Sequence, residues 1–438
     1  EVPHWDFDHT RRRAQDVWSE LLTRITPDLR GLPTIAIKTF YERDLIHFYS
    51  ALYRCHLMPS DRTGEDPAAP HSNACYYDDF YCLWDTHRTL HPLLTLTTPE
   101  RQTEIVEALI NTYDRDGYMP DGRSGNFNGR TQGGSNADIV VADAFVKRLG
   151  MGQGRPIDWS KALKAMLKNA EEEPPDPQKE GRGGVRAYNQ LGYVPMRYPR
   201  SGTRTVEYSI CDFAIAQVAA GLAADGGKNS REYERLAAEL LGRSRNWRNL
   251  WFDNGSYQDA RSGKEFFGFI WARSADGTWL QPFDSHVAGS WSDVFYEDNS
   301  WSYSLSIPHD LRGVIEKCGG EEQVRRRLDF FFDQVPKEDS NYGNAWFRIG
   351  NEPDFFTPFC YAWIGRPGRS GEIVRRTIRE DFHHEKTLSL PGNDDAGALS
   401  SWYIFAMMGI YPVAGTDVYL LTPPVFPEVT ISREDGPF

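Results

Sequence analysis

The sequence predicts a mainly α-helical chain built from paired helices, with short β segments near its C-terminus. Apolar residues recur with the three- and four-residue spacing of a helix face in roughly a dozen stretches. Gly- and Pro-rich loops separate those stretches. The segment DVYLLTPPVFPEVTI (417–431) mixes β-branched residues with prolines and reads as short strands.

Taken in order, Ala14, Val17, Trp18, Leu21, Leu22 and Ile25 form the first helical face, and a second helical stretch covers 34–57. Further helices are expected near 84–96, 99–113, 136–149, 158–169, 204–223, 230–249, 309–317, 320–334, 355–364, 370–380 and 397–410. Two long loops interrupt the series. PDGRSGNFNGRTQGG (120–134) is Gly- and Asn-rich and compact, whereas EEEPPDPQKEGRGG (171–184) is polar and Pro-rich and reads as a mobile surface excursion. Loops this long inside a helical domain are usually functional or disordered. No short repeat is visible. Helix pairs over 438 residues fit an α/α toroid, in which inner and outer helices alternate and the loops at one rim form a cleft. An α-solenoid or an irregular bundle has the same periodicity.

Composition narrows the function. Aromatic residues reach 13%, and their faces both fill cores and stack on sugar rings. A net charge of −13 repels a phosphate backbone, which disfavours a nucleic-acid partner. No run approaches the length of a membrane span, so no membrane partner is expected. The start EVPHWDF shows no signal peptide and looks like a mature or excised end. The six cysteines form no CxxC pair and no zinc-ligand spacing; Cys55, Cys75 and Cys82 lie close enough for a local bridge. Asn254-Gly-Ser256 is an acceptor sequence for N-glycosylation. Together these features lean towards a secreted protein.

Three acidic clusters sit among aromatic, Gly and Asn residues rather than on solvated helix faces: 290–310, 346–359 and LPGNDDAGALSSWYIF at 390–405. In the last, Asp394 and Asp395 precede an apolar helical run that includes Leu399, Trp402, Tyr403, Ala406 and Ile410. One Asp suffices as an N-cap, so the other is surplus. A helix N-terminus lowers the pKa of Asp395 and suits it to be a base. Glu297 lies among Trp291, Phe295, Tyr296 and Trp301, where lost hydration raises its pKa and suits it to be an acid. A buried structural Glu and a capping Asp explain the same residues. Glu352, with Asn351 and Asp354, supplies hard oxygen ligands that suit Ca²⁺; a structural hydrogen-bond knot is the alternative. In WDTHRTLHPL (84–93), Asp85 and Arg88 beside Trp84 are either sugar-binding groups or an ordinary i,i+3 ion pair. His383-His384 before Glu385 does not match HExxH and reads as a solvated helix end.

These segments together resemble glycoside hydrolase family 92, the calcium-dependent exo-α-mannosidases. The likeness is carried in order by SALYRCHLMPS (50–60), WDTHRTLHPLLTL (84–96), GGSNADIVVADAFVKRLG (133–150), ADGTWLQPFD (275–284), YEDNSWSYSLSIPHD (296–310), GNEPDFFTPFCYAWIGRP (350–367) and the stretch 390–431. The resemblance implies an (α/α)6 toroid catalytic domain over 1–438, with its last ~20 residues as short strands. The N-terminal β-sandwich of the family is absent from this chain, and it is an expected partner because the family's site lies between the two domains. It also implies inversion, with carboxyls ~6.5–9.5 Å apart. Glu297 then looks like the acid and Asp395 like the base. Asn393 stands where relatives often have a second acidic residue. Glu352 and Asn351 look like Ca²⁺ ligands that place the ion against O2 and O3 of a terminal mannose. Trp84, Asp85, Arg88 and Asp394 are expected at the sugar. Members specific for α-1,2 linkages have His-Glu where this chain has Arg348 and Ile349, which disfavours that linkage. Arg348 hints at an anionic leaving side, as in relatives that uncap mannose-6-phosphate, but those replace the acid by an amide and Glu297 is present. A glycan-binding domain without activity, or another (α/α)6 enzyme such as a glucosidase, are the competing readings.

Overall fold

The computed structural model describes residues 5–433 apart from 37, 39–40, 68, 70–71, 152–154, 288, 290, 292, 335–345 and 383–389. His383, His384 and Glu385 thus lie outside the described residues.

Inner and outer helices alternate. Helices Leu90–Thr97 and Ala398–Met408 are buried at every position, and Ala137–Val146 and Ser201–Ala224 over most of their length. Such all-round burial is what near-continuous apolar sequence requires. Outer helices Pro99–Asp116, Trp159–Glu171 and Pro367–Asp381 bury one face only. Helix Ala398–Met408 packs against Glu42–Arg54 and Leu90–Thr97, so the chain closes into a ring. Strand Ile25–Asp28 pairs antiparallel with Glu428–Ile431, tying the two ends together. The expected C-terminal strands are present, and Ile410–Pro412 pairs with Tyr419–Leu421.

Several expectations are corrected. The hairpin Trp251–Gln258 with Glu265–Ile270, and helix Val185–Leu191, are additional elements. The stretch 84–96 divides into Leu83–Thr86 and Leu90–Thr97, and Ile410 begins a strand rather than extending the last helix. Helix Phe7–Leu22 buries no residue, and Ile25 belongs to a strand. Helix Ser201–Ala224 is long and apolar enough to cross a membrane, but 72% of its most apolar window is buried inside the ring. All six cysteines are free thiols. Asn254 is exposed on its hairpin, as a glycosylation acceptor must be.

The loop 171–184 is no excursion. Glu173 accepts from the backbone N–H groups of Gly184 and Arg186, and Arg182 is wholly buried. Its guanidinium bridges Asp212 at 2.6 Å and Asp138 at 3.1 Å, behind inner helices. Pro-rich polarity looked like solvent, but the loop delivers the cation that two core carboxylates need. Removing one partner of a buried pair strands the other charge, at a cost of about 3–5 kcal/mol. Arg182→Met should therefore lose stability of that order in chemical denaturation, while Arg186→Met, on the exposed side of the same segment, should change it little.

Candidate active site

Two turns meet because neither carries a side chain at the crossing. A Cβ on Gly350 would lie 2.9 Å from the Pro391 carbonyl oxygen, and one on Gly392 would lie 2.8 Å from that of Gly350. This close approach sets the turn Asn351–Asp354 beside Asn393 and Asp395. Between them opens a cavity of about 310 Å³ lined by Asp85, Gln132, Glu297, Arg348, Asn351, Glu352, Asn393 and Asp395. That is the small end of ligand sites, roughly 300–1,000 Å³. A larger hollow of about 610 Å³ beside Thr26–Arg30 and Thr430 contains only the Asp28 carboxylate, already bonded to Arg30.

Glu297 and Asp395 both sit in left-handed backbone, with φ of 58° and 45°. Such conformations are costly for non-glycine residues and persist where the surroundings enforce them. Asp395, Ala396 and Gly397 all have positive φ ahead of helix Ala398–Met408. The two adjacent aspartates divide the work. Asp394 accepts from the Ser400 N–H at 2.9 Å and the Ser400 hydroxyl at 2.6 Å, and Arg54 Nε donates to that hydroxyl at 2.8 Å. Asp394 is thus the cap, turned away from the cavity, and Asp395 is the surplus carboxylate that enters it.

Burial pushes the Glu297 carboxyl up, a hydrogen bond from Tyr296 pulls it down, and Asp395 pushes it up again. Asp395 is also raised, first by burial, with a hydrogen bond from Glu352 opposing and Asp394 adding. Asp395 is thus raised, not lowered as a helix N-terminus would have it: burial is the largest influence, and residues 395–397, all with positive φ, stand ahead of helix Ala398–Met408. Asp85 and Glu352 are held well above the usual carboxylate range, chiefly by burial and then by the other acids of the cavity.

Oxygen atoms of Asp85, Glu352 and Asp395 all lie within 4.8 Å of one another. Glu352 Oε1 is buried without a hydrogen-bond partner. Crowded carboxylates with an orphaned oxygen fit a hard divalent cation, which would offset their repulsion. Asn351 lines the same cavity, with its Nδ2 donating to the Glu297 backbone carbonyl and, at 3.4 Å, to Asp298 Oδ2. That leaves its amide oxygen for a ligand. The trio adds Asp85 and Asp395 to the Glu352–Asn351 pair that the sequence suggested.

Besides Asp394, two more expected sugar contacts lie outside the cavity. Arg88 is buried and pairs with Glu207 at 2.9 Å, not with Asp85. Trp84 is fully buried beneath the Arg88 guanidinium. Both support the wall behind Asp85 and do not line the cavity. Glu207 is a hidden organiser, also accepting from Asn136 Nδ2; its place inside an apolar helix, shared with Asp212, was its only sequence signal. Gln132 went unnoticed too, although it lies in the compact loop 120–134. Arg348 lines the cavity, and its charge also offsets the buried pair Asp298 and Asp354.

Residues 1–437 match the glycosyl hydrolase family 92 catalytic domain. The chain belongs to glycosyl hydrolase family 92. It is 35% identical, over 99% of its length, to an uncharacterized secreted glycosidase of Arthroderma benhamiae. An inverting family 92 mannosidase of Bacteroides thetaiotaomicron superposes over the whole chain with a TM-score of 0.81 and 27% identity. A family 92 α-mannosidase of the same bacterium, at 24% identity and a TM-score of 0.77 over 99% of the chain, shares the fold. The chain spans 51% of the fungal relative and 57% of the first bacterial structure.

The crowding has a measurable sign. Without divalent cations, Glu352→Gln should stabilise the protein at neutral pH, on the order of 1–3 kcal/mol, by removing a carboxyl that folding must either protonate or hold charged beside Asp85 and Asp395. With cation added, wild type should gain in thermal midpoint and the variant should not. A scanning-calorimetry comparison in chelator and in cation checks both signs.

Proposed function

We propose that this chain is the catalytic domain of an exo-acting, inverting α-mannosidase that removes terminal α-mannosyl residues from glycans with the help of Ca²⁺. The observation that carries the reading is the small acidic cavity, in which Glu297 faces Asp85, Glu352 and Asp395 within a family 92 chain. A cavity of about 310 Å³ suits one terminal sugar better than an internal stretch of glycan.

The residues divide by role. Glu297 gives its proton to the glycosidic oxygen as the bond to C1 breaks, and the leaving sugar departs as an alcohol. Asp395 takes a proton from a water whose oxygen bonds to C1 on the opposite face, giving β-mannose. Asn393, an amide at the cavity lip, contacts that water without taking a proton. Asp85 accepts from a hydroxyl of the bound mannose. Glu352 and Asn351 would hold the Ca²⁺, which when bound would supply Lewis-acid attraction that orients the hydroxyls of the sugar. Arg348, with Ile349 buried behind it, replaces the His-Glu of α-1,2-specific members, so other linkages are preferred. The phosphate-uncapping alternative leans on Arg348, but that charge is shared with Asp298 and Asp354, and the cavity is strongly acidic. The exposed, unburied helix Phe7–Leu22, with Val17 56% exposed, offers an apolar face for the family's β-sandwich domain. The description of the fungal relative as secreted supports a secreted location.

Proton NMR of the first product from an α-mannobiose should show β-mannose, and exhaustive chelation should abolish its release until Ca²⁺ is restored. Initial α-mannose contradicts inversion; full activity in chelator contradicts the metal role; no mannose at all points to a glycan-binding domain without activity.

The acid and the base separate by leaving group. General acid–base help is worth roughly 10²–10⁴-fold. Glu297→Gln should slow a mannobiose by about that much and an activated aryl mannoside far less. Asp395→Asn should slow both alike, since every substrate needs an activated water. Equal slowing by Glu297→Gln would make Glu297 a buried structural carboxyl.

A further inference from the structure

The acid's side of the cavity holds a chain of contacts that the reaction above leaves unexplained. Gln132 is fixed at both backbone ends: its N–H donates to Asp121 Oδ2 at 2.8 Å, and its carbonyl accepts from the Arg200 guanidinium at 2.6 Å. Its side-chain Nε2 donates to the Tyr296 hydroxyl at 3.3 Å. Tyr296 is itself 3% exposed and held on every side. Its N–H donates to Thr203 Oγ1 at 2.9 Å, and its carbonyl accepts from the Tyr303 hydroxyl at 2.8 Å. Trp84 meets its ring edge-on at 5.2 Å, and Trp291 lies at 4.7 Å.

A phenol has one proton to give. Gln132 supplies a donor to the Tyr296 oxygen, so that proton remains for Glu297, the next residue along the chain. Gln132 and Glu297 line the same cavity, and among the influences on the Glu297 carboxyl a hydrogen bond from Tyr296 opposes burial. Donors bond a carboxylate more strongly than a neutral acid. The contact therefore strengthens as Glu297 loses its proton, which is where it lowers a barrier rather than only binding substrate.

We propose that Tyr296 is a positioning residue for the general acid: oriented by Gln132, its hydroxyl aims Glu297 and donates to the carboxylate that forms as the proton passes to the glycosidic oxygen. The inference rests on Glu297 being that acid. Packing alone would explain a buried tyrosine ring, but it would not make the hydroxyl matter more for one leaving group than for another.

The test uses the longest native chain that carries this domain, with a mannobiose and an aryl mannoside of an acidic phenol as substrates. Tyr296→Phe keeps the ring and removes the hydroxyl. Its kcat on the mannobiose should fall roughly tenfold, the worth of one hydrogen bond to a developing charge. KM should barely change, and the aryl mannoside, which leaves without a proton, should slow several-fold less. Gln132→Leu should show the same pattern at smaller size, and it carries the comparison alone if Tyr296→Phe fails to fold by circular dichroism. Equal slowing on both substrates, or none, overturns the proposal. Glu297→Gln, run alongside, tells the two failures apart. If it lacks leaving-group dependence, the assignment of the acid falls and this inference with it. If it shows that dependence and neither Tyr296→Phe nor Gln132→Leu does, only the role of Tyr296 falls.

Discussion

The arrangement turns on one unfavourable interaction: the mutual repulsion of carboxylates forced into a small, poorly hydrated cavity. Asp85 and Glu352 are almost fully buried, and both are pushed well above the usual carboxylate range by burial and by their acidic neighbours. Left to themselves, such groups would turn to solvent or to the nearest cation. The fold withholds the nearest cations. Arg88 is drawn back to Glu207 on an inner helix, Arg54 is held at Ser400 beside Asp394, and Arg182 serves the core pair Asp138 and Asp212. Arg348 is the one cation in the lining, and it also faces Asp298 and Asp354. What remains is a concentrated negative site in which Asp85, Glu297, Glu352 and Asp395 outnumber that single charge.

Holding that site open also costs backbone energy. Glu297 and Asp395 both occupy left-handed conformations that residues with a Cβ rarely adopt. Neither side chain would face the cavity from an ordinary helix or strand. Around them the structure is over-determined: Asp394 anchors one turn to helix Ala398–Met408, and Tyr296 anchors the other through its backbone and ring. Strain at Glu297 and Asp395 is thus offset by neighbours one residue away.

Much of this was legible in sequence because it is local. A surplus aspartate behind Pro391-Gly392, a glutamate among aromatics and a Gly-Asn-Glu-Pro turn each announced a carboxylate with no solvent role, and the structure places Glu297, Glu352 and Asp395 in one cavity. The helical periodicity found the inner and outer helices for the same reason. What escaped is long-range. Arg88 was weighed against Asp85, three residues away, when its partner Glu207 lies 119 residues on. Loop 171–184 looked solvated because nothing in its own composition reveals that Asp138 and Asp212 await Arg182. The direction of the Asp395 shift failed because a helix start was legible while the left-handed turn before it was not.

The contact between Gly350 and Gly392 has a mechanical meaning. With each backbone inside the space a methyl group would need, the two turns cannot slide independently. One turn carries Asn351 and Glu352, and the other carries Asn393 and Asp395. Both pairs are thus carried on turns that touch backbone to backbone at this one crossing. Whatever draws Glu352 inward also sets the distance from which Asp395 reaches a substrate. A cation taken up at Glu352 and the carboxylate of Asp395 would then be placed through one and the same contact, and a side chain at either glycine would disturb both.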